Sequence, residues 1–186
     1  MHKNTDTPGS IIFVDVETGG LDPNRHGLLS IGLVYWNDGL ICDNKIIFVD
    51  PEDKLIDDSA ISVNGINMQK HILIALKKDK VIKEFSDFVA KCSEKPLLGG
   101  HNTPFDAQFL NTYGIELRDY FQYGFVDTKS IARAMIHAGI LRNESTSLVS
   151  LCKHFGIDIE NPHEALSDAI ATAKLYNSLL KTMSNR

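Results

Sequence analysis

Apolar and polar positions fall into blocks along the chain, and the period of the blocks changes. Residues 11–14, Ile11-Ile12-Phe13-Val14, are an unbroken apolar run that predicts a strand buried on both faces. Asp15 and Glu17 interrupt the run, and Thr18-Gly19-Gly20-Leu21-Asp22-Pro23 follows as a turn. Residues 28–36 and 40–49 predict two more strands, with the hairpin signal Asn37-Asp38-Gly39 between them. The three strands form an antiparallel meander. Residues 57–63 predict a short helix closed by Gly65. Residues 81–92 predict another, with Val81, Ile82, Phe85, Phe88 and Val89 at helical spacing.

From residue 96 onward short strands alternate with helices. Residues 96–100 are a short apolar strand, and residues 103–113 a helix with Thr103 as N-cap, Pro104 at its first position and Gly114 as its stop. Phe125-Val126 ends a further strand. Asp127 caps a helix over 128–138 that Gly139 terminates, and a helix over 148–155 stops at Gly156. The last helix starts near Asn161 and runs to about Met183, with Ala165, Leu166, Ala169, Ile170, Ala173, Tyr176 and Leu180 as its core-facing stripe. This order predicts one α/β domain: a mixed central sheet, the three-stranded antiparallel meander plus parallel strands, flanked by helices. The domain is expected over residues 10–183, behind a loose polar lead-in at residues 1–9.

Composition narrows the class. The chain has 186 residues, 43% hydrophobic and 23% charged, enough for one substantial core. No apolar run approaches the roughly 20 residues of a membrane span. Cys42, Cys92 and Cys152 form no CxxC pair, and the N-terminus lacks the apolar core of a signal peptide. These features predict a cytoplasmic protein with no membrane partner. The net charge of −5 gives no global attraction to nucleic acid, which disfavours a passive DNA binder. It permits an enzyme whose acidic centre is neutralised by metal. Lys77, Lys78, Lys80 and Lys83 read as a solvated helix face rather than a phosphate site.

The two acids in the first strand are the candidate chemistry. Side chains two apart on a strand share a face, so Asp15 and Glu17 project side by side, roughly 7 Å apart. Two anions in a buried sheet are unfavourable unless a cation or hydrogen bonds compensate them. The stretch is therefore either a solvated strand end or a divalent-metal seat, and a seat requires further carboxylates. Asp106 opens a helix after another strand, where the helix dipole alone would also favour it. Asp168 lies beside the stripe of the last helix, with His163 five residues before it. Oxygen-only ligands suit Mg2+ or Mn2+ and not zinc. Two such ions can clamp an in-line phosphoryl transfer.

Three stretches in order, Val14-Asp15-Val16-Glu17-Thr18-Gly19-Gly20, His101-Asn102-Thr103-Pro104-Phe105-Asp106 and His163-Glu164-Ala165-Leu166-Ser167-Asp168-Ala169, resemble the motifs of the DnaQ-like 3′→5′ exonucleases of the DEDDh type, in the RNase H-like superfamily. The resemblance spans roughly residues 10–180. It implies two divalent cations, Mg2+ or Mn2+. Asp15, Glu17 and Asp168 would bind the ion that carries the nucleophilic water, and Asp15 would bridge to a second ion supported by Asp106. It implies His163 as general base, a task suited to a side chain with a reference pKa of about 6.5. It implies that Thr18, Gly19 and Leu21 meet the terminal nucleotide, through main-chain amides and an apolar wedge, and that Asn102 and Phe105 line the same pocket. His163 and Asp168 lie about 140° apart on an ideal helix, so His163 is expected on a loop or an irregular first turn, mobile until substrate binds. His101 reads as structural; His2, His26, His71, His137 and His154 match no motif and read as surface or helix residues.

The expected function is a metal-dependent 3′→5′ exonuclease that acts on single-stranded ends, DNA favoured, and releases nucleoside 5′-monophosphates. The alternative is an RNA-directed exoribonuclease of the RNase T or oligoribonuclease kind. Glu17-Thr18-Gly19-Gly20 lacks the Met-Thr-Gly-Leu character of oligoribonucleases, which disfavours that subgroup. A catalytically silent nucleic-acid-binding module is disfavoured by the presence of all four carboxylates and the histidine. A homodimer and a polymerase-associated subunit are both compatible with the sequence.

Overall fold

Strand β1 (Ser10–Thr18) runs through the middle of a five-stranded sheet. On one side it pairs antiparallel with β2 (Leu28–Asn37), which pairs antiparallel with β3 (Leu40–Phe48). On the other it pairs parallel with β4 (Leu97–Gly100), and β4 pairs parallel with β5 (Phe125–Asp127). The order is β3-β2-β1-β4-β5, the expected meander with two parallel strands added. The computed structural model describes residues 9–185; the expected lead-in lies outside the described residues except for Gly9. Asp38 at φ 47° and Gly39 at φ 90° supply the two left-handed positions that a tight β2–β3 hairpin needs.

The helices cover both faces. Ile12, Val14 and Val16 point into a core shared with α3 (Lys78–Val89) and α4 (Thr103–Tyr113). Ile11 and Phe13 point the other way, against Val34, Trp36 and the small residues Ala169 and Ala173 of α8 (Ala165–Ser184). Behind α8, the helices α6 (Thr128–His137) and α7 (Leu148–Phe155) pack Ala132, Met135 and Leu151 against Leu175 and Leu179. Asp15 and Glu17 continue the row of Ile11 and Phe13, so they face α8.

Gly32 sits opposite Asp15 in the β1–β2 ladder. A Cβ there would lie 2.2 Å from the Ala165 carbonyl oxygen. The absent side chain lets the first turn of α8 lie directly on the sheet beside Asp15.

Several expected boundaries move. The first helix is α1 (Asp58–Asn64), closed by Gly65 in the left-handed conformation, and α3 starts three residues earlier than its apolar spacing suggested. Two short helices, α2 (Met68–Ile74) and α5 (Leu117–Tyr120), had no periodic signal. The N-cap of α4 is Asn102, at φ 75°, and not Thr103. Thr103 is buried in the first turn and its hydroxyl donates to the Val126 carbonyl at 3.1 Å. Helix α8 begins at Ala165 and not near Asn161, because His163 takes a left-handed φ of 66° that an α-helix cannot continue through. Lys77 pairs with Asp50 at 2.8 Å and Lys83 with Asp87 at 2.5 Å, as a solvated helix face would. Among the described residues no helix is long and apolar enough to cross a membrane.

Candidate active site

Three carboxylates meet on the α8 face of the sheet. One oxygen each from Asp15, Glu17 and Asp168 lie within 4.8 Å of one another. Two come from alternate positions of β1 and the third from the first turn of α8, brought in over Gly32. Asp106 arrives from the opposite layer. Strands β1 and β4 are parallel, and their ladder ends at Phe13 and Gly99, so the Val16 amide lies beyond any β4 partner. Asp106 in the first turn of α4 takes that proton: Val16 N–H donates to its Oδ1 at 3.1 Å. Asp106 is not one of the three that converge most tightly, but its charge acts on both strand acids.

The electrostatics are unfavourable without a counter-ion. Burial, then the charges of Asp106, Asp168 and Glu17, push the Asp15 carboxyl well above the ordinary range. Burial, then Asp168 and Asp106, push Glu17 up to about 8. Burial pushes Asp106 up to about 8 against the opposing hydrogen bonds from its own amide and that of Val16. Asp168 is also raised by burial, although the His163 main-chain amide favours its ionised form. Among the described residues no lysine, arginine or histidine forms an ion pair with any of the four. Asp168 Oδ1 is buried without a hydrogen-bond partner. An orphaned carboxylate oxygen, an all-oxygen donor set and several raised acids fit a hard divalent cation.

Two cavities flank the cluster and share Glu17. One, of about 370 Å3, is lined by Glu17, Asn64, His71 and His163 among others. His163 is exposed on the irregular turn before Glu164, the N-cap of α8, where the 140° argument places it. The other, of about 540 Å3, is lined by Glu17, Thr18, Leu21, Ala60 and Val63 among others. Leu21 is 84% exposed at its edge. The Thr18 hydroxyl donates to the Gly20 carbonyl at 2.7 Å.

Gly19 lines neither cavity. Its amide donates to the Gly27 carbonyl at 2.8 Å and its carbonyl accepts from Asp57 N–H at 2.7 Å. A Cβ on Gly19 would lie 2.7 Å from the Leu55 carbonyl oxygen, and one on Gly20 would lie 2.4 Å from the His26 ring. The close approach these glycines permit is to the protein's own chain. Asn102 and Phe105 also line neither cavity. Asn102 is exposed on the α4 turn, and Phe105 packs half-buried against Phe109, ring centroids 5.0 Å apart.

Two histidines read as surface or helix residues are buried framework groups. His26 joins Asp57 at 3.1 Å through Nε2 and receives the Asp22 amide on Nδ1 at 3.0 Å. His71 is on a helix, as expected, but its Nε2 donates to the Val49 carbonyl at 2.9 Å. His101 bridges Thr128 Oγ1 and the Thr146 carbonyl, both at 2.9 Å, which is a structural role. The sequence reading missed Asn64. Its amide donates to the Thr18 carbonyl at 3.4 Å, and it lines both cavities. Followed by Gly65, it reads locally as the end of a helix and carries no other signal.

Comparison with known proteins bears on this arrangement. The chain is 30% identical over 186 residues to the DNA polymerase III PolC-type of Clostridium perfringens, covering 98% of this chain and 12% of that one. It is 30% identical over 178 residues to ribonuclease T of Shewanella denitrificans, covering 89% of this chain and 77% of the relative. Exonuclease I of E. coli, in a zinc-bound single-stranded DNA complex, has a similar fold, with a TM-score of 0.79 at 22% identity over 97% of this chain and 42% of that one. The RNase_T family, described as Exonuclease, matches residues 12–176, a span that runs from β1 into α8. The chain belongs to that exonuclease family and has its RNase H-like fold.

Proposed function

We propose that residues 10–183 form one exonuclease domain that removes nucleotides from the 3′ ends of single strands, DNA foremost, and releases nucleoside 5′-monophosphates in the cytoplasm. The observation that carries this reading is the convergence of Asp15, Glu17 and Asp168 within 4.8 Å, with no ion-pair partner for them among the described residues, in a chain of an exonuclease family. Asp15, Glu17 and Asp168 would hold one divalent ion, and Asp15 with Asp106 a second, Mg2+ or Mn2+. When bound, such ions supply Lewis-acid polarisation of the scissile phosphate and offset the charge that develops on it.

The chain's own residues do the rest. His163, beside Glu17 in the smaller cavity, takes the proton of the attacking water. The left-handed turn at His163 frees its ring from the helix that carries Asp168. Leu21 and Val63, both exposed at the larger cavity, offer apolar surface to the terminal base, which tolerates any base identity. Thr18 and Glu17 line the same cavity.

The test is mononucleotide release from a 5′-labelled single strand with and without Mg2+ or Mn2+. A ladder that requires metal and disappears in Asp15→Ala supports the reading; metal-independent release overturns it. The ribonuclease T relative supports RNA ends as a second substrate reading. Matched DNA and RNA oligomers of one sequence separate the two. The PolC-type match supports work beside a polymerase rather than as a homodimer, and co-purification with a polymerase subunit tests it.

A further inference from the structure

The carboxylate of Asp127 lies outside the four acids of the proposed metal seat. It ends β5, pairs with Gly100 at the end of β4, and occupies the N-cap position of α6. Its bonds divide between α6 and the start of α4. Its Oδ1 accepts the Asn102 amide at 2.7 Å, and its Oδ2 accepts the Ser130 hydroxyl at 2.5 Å. The amides of Thr103 and Lys129 also stabilise its ionised form. Asn102 makes no side-chain cap of its own for α4. The orphan amides at the start of α4 are thus satisfied by a carboxylate from the neighbouring strand.

This cap sets more than helix stability. Asn102 is held at φ 75°, a left-handed conformation that asparagine tolerates better than most residues with a side chain. The Asp127 bond to its amide holds the turn in that state. Two neighbouring bonds fix the same corner: Thr103 Oγ1 to the Val126 carbonyl at 3.1 Å, and Thr128 Oγ1 to the Gly100 carbonyl at 3.0 Å. Asp106 follows within one turn, with its carboxylate against the Val16 amide. We propose that Asp127 is a positioning residue, whose carboxylate caps α4 across the sheet and so sets the placement of Asp106 in the metal seat. This inference rests on the proposed metal-dependent function.

Loss of a group that orients a metal ligand typically weakens metal affinity by about 10–100-fold. Asp127→Ala should therefore raise the Mg2+ concentration for half-maximal activity about tenfold or more, with kcat largely restored at saturating metal. Mn2+ binding followed by calorimetry should weaken to a similar extent. Asp127→Asn keeps one acceptor oxygen for the Asn102 amide and should shift both curves less. The control is Leu179→Ala, a core change in α8 remote from this corner, which lowers stability without moving the metal curves. If Asp127→Ala loses activity equally at every metal concentration and binds Mn2+ as the native protein does, the positioning role is overturned. If Asp127→Ala does not fold, the same criterion applies to Asp127→Asn. A native protein that shows no metal-dependent release overturns the functional reading itself, and this inference with it.

Discussion

Asp168 carries a buried oxygen with no partner, and its neighbours Asp15 and Glu17 add like charge beside it. Such a residue destabilises the metal-free fold, and under the proposed function it serves the loaded one. Asp168→Asn should therefore remove activity by about 10²-fold or more, as loss of a group holding transition-state charge does. The same substitution should raise the melting temperature in chelator by a few degrees, about 4–8 °C per kcal/mol in a small domain and less in a larger one. Thermal melts of both proteins in EDTA check the second effect independently of turnover. His163 is exposed and its ring makes no hydrogen bond among the described residues, so the prediction differs. His163→Ala should lower kcat by about 10²–10⁴-fold, the usual contribution of a general base, with metal-dependent thermal stabilisation intact. A variant that retains native kcat would remove His163 as the base.

The elements place these residues through a few close approaches. Gly32→Ala would put a methyl 2.2 Å from the Ala165 carbonyl and must push α8 away from β2. Overpacking of this kind costs about 1–3 kcal/mol. Activity should fall beyond what the lost stability explains, because Asp168 moves with α8; denaturant melts and kcat measured on the same preparation separate the two effects. The sheet was legible in the sequence because its signals are local: the apolar run of β1, the alternation in β2 and β3, and Asn37-Asp38-Gly39 between them. The four carboxylates were legible because three separated motifs carried them. The start of α8 was legible only through the His163–Asp168 offset, since the left-handed turn at His163 has no glycine to announce it. Helices α2 and α5 are only seven and four residues long and lack a periodic face. The burial of His26 and His71 depends on Asp57 and on the Val49 carbonyl, partners set by folding rather than by neighbouring sequence. The close approaches of Gly19 to Leu55 and of Gly20 to His26 were not legible either, because these partners are also set by folding.

Across the whole molecule the raised acids link stability to pH. The unfolded chain releases its carboxyl protons around pH 4, whereas Glu17 and Asp106 hold theirs in the fold until about 8. Between these limits the folded state binds more protons than the unfolded state, so the stability of the metal-free protein falls as pH rises and levels off above 8. Melting temperatures in EDTA should therefore decline from pH 5 to pH 8, other groups held constant by comparison with Asp168→Asn, whose decline should be shallower. Saturating Mg2+ should flatten the native slope, because cations replace protons in the seat, and calorimetric titrations at pH 7 should register proton release. The division of the acids between β1 and α8 also bears on synthesis. A chain still emerging from the ribosome exposes Asp15 and Glu17 early but gains Asp168 only when its last long helix docks. A partly made molecule therefore lacks one of the three carboxylates that converge in the folded domain, and any metal seat they form is completed only when α8 docks.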